Sequence, residues 1–170
     1  QHLWMISERS YDWLTPETGA LYGDFGPELV ESELEKAGIT GTVLVQAADT
    51  YEDTFYMLSV AQRIPRVLGV VGWVPLDRPA EATVALSHLA PSLVGIRNLT
   101  HSYTDPRWIL RSEVAESLNI ASGHGLTLDY VGVTDDQLAV IPELAAQQPE
   151  LKIVVDHLAS PKIATGEKEP

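Results

Sequence analysis

The sequence contains no cysteine. Disulfides and cysteine-ligated zinc are therefore excluded, and their absence suits a cytoplasmic protein. Long hydrophobic runs are missing as well. The longest candidates, VLGVVGWV and KIVVDHL, are strand-length and fall far short of the roughly 18 apolar residues of a membrane span. No charged segment followed by an apolar one stands at the start, so no targeting signal is expected. Positive charge is scarce: 11 Lys and Arg stand against 24 Asp and Glu, a formal net charge of -13. A field of that sign repels phosphate backbones and anionic lipid, which argues against a nucleic-acid or membrane partner. Neither G-x-G-x-x-G nor G-x-x-x-x-G-K occurs, which argues against a nucleotide cofactor. No G-x-S-x-G elbow supports a serine nucleophile. One glycosylation sequon, Asn98-Leu99-Thr100, is present; without a targeting signal it is read as chance.

What is present is a core-forming composition. Of the 170 residues, 45% are hydrophobic and 21% charged, which fits one domain of ordinary size. From residue 27 onward two patterns alternate. PELVESELEKAG reads as a helix, with Pro27 at its first position and Gly38 as its stop. GTVLVQA (41–47) is a β-branched run. YEDTFYMLSVAQRI (51–64) reads as an amphipathic helix with Phe55, Leu58 and Ala61 on one side. VLGVVGWVPL (67–76), LVGIRNL (93–99), LTLDYVG (126–132) and LKIVVDHL (151–158) read as strands. Helical stretches lie between them at 81–91, 105–125 and 135–149, the last with an internal Pro142. Successive strands start roughly 25–33 residues apart, one βα unit. They are near-continuous apolar runs, the mark of parallel strands covered on both faces.

An open doubly wound sheet and a (β/α) barrel both fit this alternation. The missing phosphate loop weighs against the first. The strand ends favour the second: Gln46, Trp73, Arg97, Asp129 or Tyr130, and His157 fall at matching places. Polar groups delivered by the C-terminal ends of many strands are what a barrel active site requires. The plainer reading of each is a strand end meeting solvent. The opening QHLW completes the pattern if His2 closes a first strand that begins before Gln1. The expected fold is then an α/β (β/α)8 TIM barrel, with residues 1–170 forming a partial barrel domain of about strands 1–6.

These residues resemble a known family. QHLW with YDWL, GTVLVQA, GVVGWVPL, VGIRN followed by DPRWILR, GLTLDY and VVDHLASP are similar, in order, to the amidohydrolase-related (amidohydrolase 2) lactonases. That family includes sugar-acid lactonases, pyrone-dicarboxylate lactonase and sulfomuconolactone hydrolase. The resemblance implies a (β/α)8 barrel and a hydrolase that opens a small polar lactone. It implies a His-x-His pair closing the first strand, with His2 as its second member, a strand-six histidine matched by His157, and a strand-eight aspartate beyond this sequence. Met5 stands where the family usually has Asp, which touches the hydrogen bonding at the site mouth.

Lactone hydrolysis needs a polarised carbonyl, an activated water and a proton for the leaving alkoxide. In a family of this kind His2 and His157 would act as catalytic groups or as ligands of a divalent metal, zinc or manganese. The same groups would serve as acid, base and electrostatic stabilisers in a metal-free mode. Arg97 interrupts an apolar strand, and an arginine there calls for an anionic partner. Its fork of donors suits a carboxylate or sugar hydroxyls, and Asp129 on the next strand is the competing partner. Gln46, Trp73, Asp129, Tyr130 and His101 are candidate substrate-binding residues. Plain core packing is the competing reading for Trp73. By period-two alternation Asp156 faces away from His157 and is expected to be structural, while Val155 and His157 point inward. Tyr11 and Trp13 either fold over a substrate or anchor the long first loop; His88 and His124 are expected at the surface. Oligomeric state is left open. The rival functions are a metal-dependent decarboxylase on the same barrel and a non-catalytic truncated barrel.

Overall fold

Among the described residues each strand is short, four to six residues long, with a helix before or behind it. The computed structural model describes residues 1–161 and 163–166, which fall into two compact units, Gln1–Trp73 and Val74–Pro170.

In the first unit α1 (Pro27–Lys36) has proline at its first position, where a missing N–H costs nothing. It ends as expected. Gly38 adopts φ 67, and the N–H groups of Gly38 and Ile39 reach the Glu35 and Leu34 carbonyls at 3.0 and 2.9 Å. That pair of bonds is a Schellman stop. β1 (Thr42–Val45) and β2 (Val67–Gly72) pair in parallel, with Leu44 opposite Val70. Between them runs α2 (Tyr51–Arg63), capped by the Thr50 hydroxyl, which accepts the Asp53 N–H at 3.2 Å. The opening residues lie along β1. The Gln1 amine donates to the Val43 carbonyl at 2.8 Å, and the Val45 N–H donates to the Gln1 carbonyl at 2.9 Å. This is the slanted ladder of a parallel pair, and it sets His2 where a strand ends.

The buried face of α2 differs from the expected one. Phe55 is 56% exposed, and the buried residues are Asp53, Thr54, Met57 and Val60. Two polar side chains head the inward stripe, so an apolar-only count selects the wrong face.

The second unit runs α3 (Pro79–Leu89), β3 (Gly95–Asn98), α4 (Ser112–Gly123), β4 (Thr127–Tyr130), α5 (Asp135–Leu138), α6 (Ile141–Gln147) and β5 (Lys152–Val155). β3, β4 and β5 are parallel in that order, with Arg97 opposite Asp129 and Asp129 opposite Val154. Leu86, Ile96, Leu118 and Leu128 are fully buried and form the core on which α3 and α4 pack. The expected helix over 105–125 is a 3-10 turn at Trp108–Leu110 and then α4, separated by an extended Arg111. The expected helix over 135–149 is likewise two helices. Pro142 sits in the first turn of α6, where it needs no N–H, and so does not kink a longer helix. Asn98 is buried within β3, which closes its sequon to a glycan. Among the described residues no helix is long and apolar enough to cross a membrane.

Candidate active site

In the first unit three expected site residues stand at or just beyond strand ends. His2 is half-buried, and its Nδ1 lies 2.9 Å from the Val45 carbonyl. A carbonyl only accepts, so Nδ1 carries a proton, and in the neutral ring Nε2 then carries the lone pair. Gln46 is fully buried immediately after β1, and its amide donates to Asp49 Oδ1 at 2.8 Å. Trp73 follows β2. Its backbone N–H donates to the Thr54 hydroxyl at 2.9 Å, and its ring meets Tyr51 edge-on at 5.0 Å. The indole is buried, yet its N–H has no hydrogen-bond partner among the described residues. A buried donor left without an acceptor is costly, which packing alone does not account for.

The first loop is anchored at its aromatics. Tyr11 is buried and donates to Asp53 Oδ1 at 3.3 Å; the Trp13 indole donates to the Ala47 carbonyl at 2.8 Å. Trp4 packs edge-on against Trp13 and bridges to Phe25. Met5 packs its sulfur against Gly26. Its backbone N–H reaches the Tyr11 hydroxyl at 3.4 Å, so the main chain supplies hydrogen bonds at the position where the family usually has aspartate.

In the second unit Arg97, buried at 4% exposure, forms an ion pair of 2.5 Å with Asp156. This corrects two expectations. Asp156 does not face away, and Asp129 is not the direct partner of Arg97. Alternation holds only for an extended chain, and β5 ends at Val155. Asp156 opens a 3-10 turn, and His157 to Ser160 all take positive φ values. The turn brings Asp156 to Arg97 and leaves His157 exposed beyond the strand; Val155 too is 37% exposed. Asp129 is buried and accepts the Thr127 hydroxyl at 3.1 Å. Burial first, then the Asp156 carboxylate, pushes its pKa up; Thr127 and Arg97 pull the other way. His101 is half-buried on the loop after β3, its Nδ1 without a hydrogen-bond partner among the described residues. Burial, then Arg97 and His157, pushes its pKa down, which favours the neutral ring. Tyr130 is held differently. Its hydroxyl donates to the Gln137 carbonyl at 2.8 Å, and burial pushes its pKa up to about 12, so it ties β4 to α5. His88 and His124 are exposed, as expected.

The raised Asp129 pKa has a sign that a melt can read. The folded state holds the proton more tightly than the unfolded one, so the associated stability is full below the unfolded aspartate pKa. It is lost as pH rises through the folded value. Asp129→Asn keeps an oxygen for Thr127 and removes the ionisation. The variant is expected to be more stable than the parent at pH 7, with the gap closing toward pH 4. Thermal melts across that range check it.

Parallel strands joined by helices, with polar side chains at their C-terminal ends, define an α/β fold that forms part of a (β/α) barrel. The chain belongs to the amidohydrolase family, whose model matches residues 2–170. An L-fucono-1,5-lactonase of Burkholderia ambifaria is 37% identical over 170 residues, 99% of this chain and 58% of that protein. An amidohydrolase from Burkholderia multivorans, crystallised with bound HEPES, superposes with a TM-score of 0.88 at 22% identity, covering 99% of this chain and 59% of that one. The same protein with bound zinc gives a TM-score of 0.86 at 23% identity, over 96% of this chain and 58% of that one. A probable 2-pyrone-4,6-dicarboxylic acid hydrolase from Acinetobacter baumannii gives 0.70 at 17% identity, over 93% and 56%. The chain thus spans a little over half the length of these relatives. Among the described residues no group of three or more histidine, aspartate or glutamate side chains is placed to hold a metal ion. The imidazoles present do not make a metal site by themselves.

Proposed function

We propose that the protein is a hydrolase that opens a small polar lactone, with a sugar-acid lactone as the first candidate. The observation that carries this reading is 37% identity to an L-fucono-1,5-lactonase across 99% of the chain. Water adds to the lactone carbonyl, the ring C–O bond breaks, and the alkoxide takes up a proton. His2, protonated at Nδ1 by its bond to Val45, offers Nε2 as the base that takes the proton from water. Arg97 supplies fixed positive charge for developing negative charge on oxygen. Asp129, shifted toward its protonated form, is the proton donor for the alkoxide. Gln46 and Trp73 bind substrate, and His101, favoured neutral, hydrogen-bonds a hydroxyl. His157 is assigned as the second catalytic imidazole on the strength of the family resemblance. A divalent ion such as zinc or manganese would polarise the carbonyl if bound, and it is the family resemblance alone that offers His2 and His157 as imidazole ligands. The reading includes a cytoplasmic setting, supported by the absence of cysteine.

The test is a pH-stat panel of aldonolactones and pyrone lactones, with and without added zinc or manganese. Acid release from an aldonolactone is expected; no hydrolysis of any member would overturn the proposal. Trp73→Phe keeps an aromatic ring, smaller than the indole, and deletes the N–H that has no partner among the described residues. It is expected to raise KM about fivefold to tenfold, the size of one lost hydrogen bond, with kcat little changed.

A further inference from the structure

We infer that Asp53 is a positioning residue, which holds His2 and Gln46 in place by clamping the opening loop to the end of β1. The inference rests on the roles proposed above for those two residues. Asp53 is 1% exposed, and its carboxylate joins three segments of chain. Oδ2 accepts the N–H groups of Ala47 and Ala48 at 2.7 and 3.3 Å; Oδ1 accepts the Tyr11 hydroxyl at 3.3 Å. Ala47 follows Gln46 directly. The Tyr11 hydroxyl in turn accepts the N–H of Met5 at 3.4 Å, three residues after His2. The Ala47 carbonyl is taken by the Trp13 indole. The peptides flanking Ala47 are thus gripped from both sides, by α2 and by the first loop.

Packing alone does not explain a carboxylate here. Its neighbours along the buried face, Met57 and Val60, are apolar, and an apolar residue in place of Asp53 would avoid the desolvation of a charge. A carboxylate with several acceptor sites does what no apolar residue does: it bonds two adjacent amides and a phenol at once. The first turn of α2 favours negative charge at this point. Burial raises the pKa of Tyr11, and the Asp53 charge raises it further. The phenol therefore stays protonated and remains a donor.

Two variants test the clamp. Tyr11→Phe cuts the tie to the first loop and leaves the Asp53–Ala47 bonds; Asp53→Asn weakens both. Each is read by thermal melting, by lactone kcat and KM, and by the nitrogen-15 NMR spectrum of the His2 imidazole. Tyr11→Phe is expected to lower kcat about tenfold with KM within threefold, as for a misoriented catalytic group. The His2 spectrum is expected to shift from a single Nδ1–H tautomer to a mixture. The NMR readout needs no substrate. A parent that hydrolyses no lactone, with a His2 spectrum that still shifts in Tyr11→Phe, would overturn the proposed function and support the clamp. A lower melting temperature with His2 spectrum and kcat unchanged would overturn the clamp and leave Asp53 purely structural. If Asp53→Asn does not fold, Tyr11→Phe decides alone.

Discussion

Arg97→Ala is expected to unfold about 3–5 kcal/mol more easily than the parent and to lose at least a hundredfold in kcat/KM, the scale for removing one charge-stabilising donor. The two losses share a cause. The Arg97 side chain is 5% exposed and that of Asp156 is 11% exposed, so neither is hydrated once its partner is gone. Deleting the guanidinium leaves Asp156 beside Asp129, whose pKa already rises through burial and through Asp156. Two carboxylates without a cation compete for one proton, so stability of the variant should fall more steeply with rising pH than that of the parent. Asp156→Asn is the informative contrast. Arg97 keeps Asp129 opposite it on β4 as a reserve partner, so this change should cost less than Arg97→Ala. Arg97→Lys keeps the charge and gives up the planar fork, and an intermediate loss of about tenfold in kcat/KM is expected. Urea unfolding at pH 5 and pH 8 with parallel pH-stat kinetics separates the cases. An Arg97→Ala protein with an unchanged urea midpoint would show that the pair carries nothing.

Much of this arrangement is legible in the sequence, and the misses have particular physical reasons. Near-continuous apolar runs such as GTVLVQA and VLGVVG point to parallel strands, and the parallel pairing is found, but cover on both faces is not complete: Val43 and Leu68 are 38% and 72% exposed. The stop at Gly38 follows from its freedom at positive φ. Sequence patterns read polar residues on a helix as solvent-facing, and Asp53 defeats that rule because two amides just upstream and the hydroxyl of distant Tyr11 satisfy it. Alternation along a strand assigns faces only while the chain stays extended. Asp156 lies one residue past the end of β5, so alternation does not place it, and the sequence offers only Asp129 as the competing partner of Arg97. Arg111 breaks the expected helix over 105–125 without a proline or glycine at the break. Its guanidinium pairs with Asp105 at 2.7 Å, six residues back, a side-chain contact across the break that backbone helix propensity does not register. The strand-end residues were legible because a sheet needs no polar side chain there. An arginine inside LVGIRN or a glutamine closing GTVLVQ stands out against its surroundings.

His2 allows a sharper division between function and support. Its Nδ1–H bond to the Val45 carbonyl is one half-buried hydrogen bond, worth about 1 kcal/mol net. His2→Ala removes that bond and the Nε2 lone pair together. The expected result is a small loss of stability, about 1 kcal/mol, beside a fall of about a hundredfold to ten-thousandfold in kcat/KM, the range for removing a general base. His2→Asn separates the two contributions. An asparagine amide nitrogen sits close to where Nδ1 sits in histidine, so it can donate to Val45 and restore the stability. It has no basic nitrogen to offer at Nε2, so activity should stay at the alanine level. Melting temperatures that recover in His2→Asn while kcat/KM does not would identify the imidazole as a chemical participant. Recovery of both would mean that His2 only ties the opening strand to β1, and the proton would have to be taken by another group.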